Sequence, residues 1–285
     1  MKVDILSPSG CCHGVNNAIN MAIEAKAKYN LPTFILGMLV HNEIVIDNLS
    51  KLGIITIKDK TPLEAINDIN EGVIIFTAHG HDESLDKLAK DKGLIVIDTT
   101  CAFVKTNHLL IKRSLANNEE VIFIGKKEHP ETESTLLLSN KIHFYDIFNK
   151  MDYKNVKNDH PTIYCQTTLS ILELEDIKKD IFLHFKNAHC AKSVCNATYE
   201  RQKALYNINK DSDLIFIVGS NTSSNTMKLY DISRTLYQDK DILQIKTVND
   251  IVNCDLSKYK YATIVGGAST PIETLIELKN YLITL

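Results

Sequence analysis

Leu214-Ile215-Phe216-Ile217-Val218-Gly219-Ser220-Asn221-Thr222-Ser223-Ser224-Asn225 passes directly from five apolar residues into glycine, hydroxyl and amide side chains. Five apolar residues without alternation predict a strand covered on both faces, as in a parallel sheet. The polar run predicts a strand-to-helix connection. There glycine allows close backbone approach, while hydroxyls, an amide and a helix N-terminus favour phosphate. Gly266-Gly267-Ala268-Ser269-Thr270-Pro271 repeats the arrangement after another apolar run. Neither loop has the lysine of a P-loop, which disfavours a nucleoside triphosphatase.

Working outward, the same alternation fills the 285 residues. Strands are expected at 3–6, 33–36, 54–57, 73–76, 94–97, 121–124, 142–144, 162–165, 214–218, 242–245 and 262–265. Amphipathic helices fill the gaps; one places Val15, Ala18, Ile19, Ala22 and Ile23 on a single face and stops at Leu31-Pro32. Capping boxes are expected at Ser170-x-x-Glu173 and Thr270-Pro271-Ile272-Glu273, with proline first in the helix. The Asn- and Lys-rich stretch 149–159 reads as a surface loop.

The composition, 44% hydrophobic and 24% charged, is that of an ordinary globular protein. No apolar run approaches the roughly 20 residues of a membrane span, and the opening residues read at once as a strand, so a cytoplasmic protein or the mature form of an organelle-stroma protein is expected. A net charge of −3 gives no reason to expect nucleic-acid binding. Seven scattered cysteines, with no C-x-x-C pair, argue against a disulfide framework or a zinc ribbon. Cys165, Cys190 and Cys254 read as small core residues.

The remaining chemistry repeats. Cys12, Cys101 and Cys195 each precede an amphipathic helix and lie 89 and 94 residues apart. His41 follows Cys12 by 29 residues, His129 follows Cys101 by 28, and Ser223 follows Cys195 by 28. A second polar loop follows each at 67 (His79), 66 (Thr167) and 74 (Ser269). The expected fold is therefore α/β: three similar small units with mostly parallel sheets, at 1–98, 99–192 and 193–285. Ligands of parallel sheets bind beyond the carboxyl ends of strands, so units sharing a centre would gather three thiolates and six polar loops. Soft thiolates suit zinc or an iron–sulfur cluster, and three ligands leave a position open. Spacing alone leaves three unrelated core cysteines as an equal reading. Histidines in Val40-His41-Asn42, Ala78-His79-Gly80 and Glu128-His129-Pro130 add anion-binding capacity, and Glu131 becomes the leading general acid.

Taken in order, Gly10-x-Cys12-x-Gly14, Val40-His41-Asn42, Ala78-His79-Gly80, Asp98-Thr99-Thr100-Cys101, His129-Pro130-Glu131-Thr132-Glu133, Gln166-Thr167-Thr168, Cys195-Asn196-Ala197-Thr198, Gly219-x-x-x-Ser223-Ser224-Asn225 and Gly267-Ala268-Ser269 resemble the 4-hydroxy-3-methylbut-2-enyl diphosphate reductase (IspH/LytB) family. The resemblance covers essentially the whole chain. It implies three units arranged pseudo-threefold around a central [4Fe–4S] cluster held by Cys12, Cys101 and Cys195, the fourth iron open to the substrate hydroxyl. It implies Glu131 as proton donor, Thr167 as relay and substrate contact, and diphosphate binding by His41, His79, His129, Ser223, Ser224, Asn225 and Ser269. A ferredoxin or flavodoxin-type electron donor is implied as well. Cys11, His13, Cys165, Ser134 and Ala102 depart from the residues usual in the family at those positions. A non-catalytic iron–sulfur diphosphate sensor on the same scaffold is the competing reading; it would not need Glu131 and Thr167. A zinc-dependent phosphate-ester hydrolase is a second, separated by metal content.

Overall fold

The structure, a computed structural model, describes residues 1–191 and 194–285. Strands and helices alternate as β1 (Lys2–Ile5), α1 (His13–Tyr29), β2 (Thr33–Leu36), α2 (Glu43–Lys51), β3 (Ile54–Ile57), α3 (Pro62–Asp68), β4 (Val73–Phe76), α4 (Ser84–Asp91), β5 (Ile95–Asp98) and α5 (Ala102–Ala116). There follow β6 (Val121–Gly125), α6 (Pro130–Leu136), β7 (Ile142–Asp146), β8 (Thr162–Cys165), α7 (Ile171–His184), β9 (His189–Cys190) and α8 (Asn196–Ala204). The chain closes with β10 (Leu214–Val218), α9 (Ser224–Leu236), β11 (Asp241–Ile245), β12 (Tyr261–Gly266) and α10 (Ile272–Thr284). The eleven expected strands are all present. β9 was not legible because two residues carry no pattern.

The strands form three four-stranded parallel sheets, ordered β1-β12-β10-β11, β3-β2-β4-β5 and β7-β6-β8-β9. The chain gathers into two compact units. One comprises residues 1–16, 41–45 and 196–285 and contains the first of these sheets. The other comprises 17–40 and 46–195 and contains the remaining two.

The three sheets share one order. Each has an outer strand leading into a cysteine loop (β1, β5, β9), then a strand leading to the second polar loop (β12, β4, β8). The strand leading to the first polar loop comes next (β10, β2, β6), and a far outer strand completes each sheet (β11, β3, β7). β1 departs from the expected 1–98 grouping. It pairs in parallel with β12, Val3 opposite Ala262 and Ile5 opposite Ile264, and Val3 and Ile5 pack on the core of that sheet. The outer position beside β4 is already held by β5. The expected break between 192 and 193 lies outside the described residues.

Continuous apolar strands bury both faces, as their composition requires. In the β10-centred sheet Leu214, Phe216 and Val218 pack with Leu275, Leu278 and Leu282 of α10. Ile215 and Ile217 pack with Leu229 and Ile232 of α9 on the opposite face. Each of these strand residues is fully buried, so truncating Phe216 to alanine would cost about 3–5 kcal/mol. In the second unit Leu36, Ile74 and Phe76 join Ala65, Ile66 and Leu94. Ile122, Ile124 and Ile163 pack with Leu174 and Ile181 of α7.

Some local expectations change. On α1, Val15, Ala18 and Ala22 are buried, but Ile23 is 39% exposed. Ser170 stands at the N-cap of α7 without making a side-chain capping bond. Pro271 is the N-cap of α10 rather than its first helical residue, and the Thr270 hydroxyl donates to the Val218 carbonyl instead. Cys254 is exposed rather than a core residue. The 149–159 stretch contains a short 3₁₀ turn, Tyr153–Asn155, within a mostly exposed segment.

Candidate active site

All the polar loops leave the carboxyl ends of parallel strands, where ligands of such sheets bind. In the second unit, Glu131 lies in the first turn of α6 and Thr167 just beyond β8. The Thr167 N–H donates to Glu131 Oε1 at 2.7 Å, and Thr167 Oγ1 lies 2.8 Å from Glu131 Oε2. Both residues are buried. Burial lifts the Glu131 carboxyl to about 7, against the two Thr167 bonds that favour its ionised form. A carboxyl that keeps its proton to neutral pH, with a hydroxyl in contact, can serve as a general acid.

Gln166, fully buried, holds this pair from behind. Its Oε1 accepts from the Lys126 N–H at 3.0 Å and from Thr132 Oγ1 at 3.3 Å, and its Nε2 donates to Thr168 Oγ1 at 2.9 Å. His129 caps α6, its Nδ1 accepting the Glu131 N–H at 3.2 Å. That bond assigns the ring proton to Nε2 in the neutral form. The His79 and His129 rings meet edge to face, centroids 5.7 Å apart. Ser134 Oγ donates to the His79 carbonyl at 2.9 Å, which ties the β4 loop to α6.

The first unit holds the remaining anion candidates. Ser223 caps α9, accepting from the Thr226 N–H at 3.4 Å, and Ser224 opens that helix. Asn225 is buried; its Oδ1 accepts from the Ala268 N–H at 2.9 Å, while its Nδ2 has no hydrogen-bond partner among the described residues. A buried donor without a partner is costly unless a ligand takes it. Ser269 Oγ donates to the His41 carbonyl at 3.1 Å, joining two of the predicted loops.

The cysteines share a more specific feature. Cys12, Cys101 and Cys195 stand immediately before α1, α5 and α8. The backbone N–H of Cys12 donates to the Ala268 carbonyl (2.8 Å), that of Cys101 to Ala78 (3.0 Å) and that of Cys195 to Thr167 (3.1 Å). Each cysteine loop is thus pinned to the second polar loop of its own sheet. The repeat is therefore shifted from the expected grouping: Cys12 goes with Ser223 and Ser269, Cys101 with His41 and His79 in strand order, and Cys195 with His129 and Thr167. Sequence offsets could not reveal this, because they run in the same order under either grouping.

These residues fit an iron–sulfur group by donor chemistry. All three cysteines are partly exposed at helix N-termini. The first turns of α1, α5, α8 and α9 contain no acidic residue, whereas those of α2, α3, α4, α6, α7 and α10 do. Helix N-termini normally favour carboxylates; their exclusion beside the cysteines and the Ser223 loop leaves the dipole for another anion. Among the described residues, no three His, Cys, Asp or Glu side chains converge at metal-binding distance. Cys165 differs: burial first, then the Glu131 charge, push its thiol up to about 12, as suits a core residue.

Sequence reasoning missed Arg201, Glu43, Ser220 and Lys246. Arg201, buried on α8, donates from Nη2 to the Gly10 carbonyl at 2.7 Å and from Nη1 to Ala197 at 3.1 Å, steadying the Cys12 loop. Nothing in its local sequence distinguishes it from a surface arginine.

Three four-stranded parallel sheets, each with a cysteine loop and two polar loops at its strand ends, define a class of α/β protein built from a repeated sheet. The family model described as LytB protein matches residues 3–283. A 4-hydroxy-3-methylbut-2-enyl diphosphate reductase of Geobacillus sp. (strain WCH70) is 34% identical over 288 residues, covering 99% of this chain and 90% of that protein. The reductase of the same name from Bacillus cereus (strain B4264) is 34% identical over 285 residues, covering 99% and 90%. The solved E-1-hydroxy-2-methyl-but-2-enyl-4-diphosphate reductase of Plasmodium falciparum superposes with a TM-score of 0.86 at 29% identity, over 100% of this chain and 87% of that one. The chain belongs to the LytB family.

Proposed function

We propose that this chain reduces 4-hydroxy-3-methylbut-2-enyl diphosphate to isopentenyl and dimethylallyl diphosphates, the terminal step of the non-mevalonate route. Family membership and the names of its relatives support the reaction. The observation that carries it is the buried Glu131 carboxyl, lifted by burial to about 7, in contact with Thr167. A diphosphate sensor would not require this pair.

In balance, the allylic C–O bond breaks, two electrons and two protons enter, and the hydroxyl leaves as water. His41, His79, His129, Ser223, Ser224, Asn225 and Ser269 bind the diphosphate, His129 donating from Nε2 and Asn225 from its unpartnered Nδ2. Thr167 orients the substrate hydroxyl and passes to it the proton that Glu131 holds. The enclosed position of this pair restricts water, so the proton goes to the leaving hydroxyl. Cys12, Cys101 and Cys195 would hold one [4Fe–4S] cluster per chain, and when bound it supplies electrons and a Lewis-acidic position. A ferredoxin or flavodoxin-type protein is the proposed electron source. Seven scattered cysteines without a C-x-x-C pair suit the reducing cytoplasm. No helix among the described residues is long and apolar enough to cross a membrane.

The test is anaerobic purification with iron and sulfide analysis, then turnover of the hydroxylated diphosphate with an artificial reductant. Iron and sulfide with formation of both products supports the reading. Zinc without iron, or iron without turnover, overturns it.

A further inference from the structure

Residues 41–45 are a short piece of chain that belongs to the first unit, while the residues on both sides, 17–40 and 46–195, belong to the second. This piece carries His41. One tie to its unit is the Ser269 bond to the His41 carbonyl. The second comes from Glu43, the first residue of α2. Glu43 Oε1 accepts from Ser220 Oγ at 3.1 Å and from Lys246 Nζ at 2.9 Å, across 177 and 203 residues of sequence.

Each partner is itself fixed at a strand end. Ser220 is 1% exposed; its Oγ accepts from the Thr222 N–H at 3.1 Å and lies 2.8 Å from Thr222 Oγ1, which shapes the loop leading to Ser223 and Asn225. Lys246 follows β11, and its N–H donates to Asp250 at 2.6 Å. Gln244, also on β11, donates from Nε2 to the Gly219 carbonyl at 2.6 Å, which ties the β10 and β11 ends to each other. Partial burial pushes the Glu43 carboxyl up. The Lys246 bond, its own backbone N–H, the Ser220 bond and the Lys246 charge together hold it below the usual carboxylate range.

We infer that Glu43 is a positioning residue for the diphosphate site: with Ser220 and Lys246 it clasps the His41 segment against the Ser223–Asn225 loop, setting the spacing of those donors before ligand arrives. A bare carboxylate close to anion-binding loops would oppose a diphosphate. Paired with Lys246 it is neutralised and serves as an acceptor. This inference rests on the reductase reading for its substrate, not for its geometry.

The two electrostatic effects of removing the charge are opposed, which makes the experiment decisive. If the clasp positions donors, Glu43→Gln raises KM for the diphosphate about tenfold, as expected for loss of hydrogen bonds to a charged group, with kcat at saturation within about twofold of wild type. If Glu43 only repels anions, the same change lowers KM. Lys246→Met should raise KM similarly, and Lys246→Arg should restore most of it. Adding Lys246→Met to Glu43→Gln should then cost little more. A lowered or unchanged KM in Glu43→Gln, or a fall in kcat with KM unchanged, overturns the inference. Hydrogen exchange read on residues 43–46 needs no turnover. Faster exchange in Glu43→Gln, with weaker protection by inorganic pyrophosphate, supports the clasp, and wild-type exchange and protection overturn it. These measurements separate failure of the clasp from failure of the reductase reading, which an inactive wild type would signal.

Discussion

At the residue scale, two side chains carry the sharpest expectations. Burial raises the Glu131 carboxyl from about 4.5 to about 7 in the folded chain. Between those values the folded state holds a proton the unfolded state has lost. The contribution of Glu131 to the stability of the metal-free chain is therefore fully present below about pH 4.5 and is lost as pH rises through about 7. Glu131→Gln should remove much of that decline in urea midpoints measured across this range, and lower turnover by about 10²–10⁴-fold. Wild-type turnover should fall above about pH 7. A variant turning over within a few-fold of wild type would place the proton donor elsewhere. The second case is the Cys11-Cys12 pair. Burial, then the neighbouring Cys12 and Glu273, push the Cys11 thiol up to about 12, with Arg201 opposing. Such a thiol stays protonated and is a poor ligand, while Cys12 carries the backbone bond shared with Cys101 and Cys195. Cys11→Ala should keep iron and activity with some loss of stability, and Cys12→Ala should lose both. Iron analysis and anaerobic turnover that reverse this order would reassign the ligand.

At the scale of elements, the strand-to-helix turn after β10 depends on Gly219. Its φ of +152° is open to glycine, and a Cβ there would lie 2.5 Å from Thr226 Oγ1 and 2.7 Å from Thr270 Oγ1. Those threonines are buried beside the starts of α9 and α10, so neither can withdraw to solvent. Gly219→Ala should cost about 1–3 kcal/mol in urea unfolding and weaken inorganic pyrophosphate binding. Gly93 provides the control: it has φ +78°, but its Cβ would meet nothing within 4 Å. Gly93→Ala should lose only the backbone cost of about 1–2 kcal/mol and bind pyrophosphate normally. Equal pyrophosphate binding by both variants would mean that the Gly219 loop does not hold the anion. The periodicity of β10 and α9 was readable because both faces of the strand and one face of the helix are apolar. The Thr270 bond to Val218 was not, since a threonine before proline looks like a helix cap in any sequence.

For the whole molecule, binding should be concentrated in the diphosphate. The proposed function gives it seven candidate donors, whereas a five-carbon chain offers little apolar area. With bonds to charged groups contributing about 1.5–3 kcal/mol each, the free alcohol should bind at least about a hundredfold more weakly in an anaerobic calorimetric titration. Comparable binding of alcohol and diphosphate would remove the anion role from the histidine and serine loops.

Local pattern was enough for the eleven expected strands and for a fold of three similar α/β sheets. A buried parallel strand must be apolar on both faces, and a ligand loop must follow its carboxyl end. Pairing partners were a different matter. β1 has the same composition beside β12 as it would beside β4, and only the filled outer position at β5 and the packing of Val3 and Ile5 decide its sheet. The phase of the repeat follows from that choice, which is why Cys12 belongs with Ser269 rather than with His79. Glu43, Ser220 and Lys246 were likewise out of reach: charge-assisted bonds across 177 and 203 residues leave no periodic trace in the chain, and exist only where the fold brings separate strand ends together.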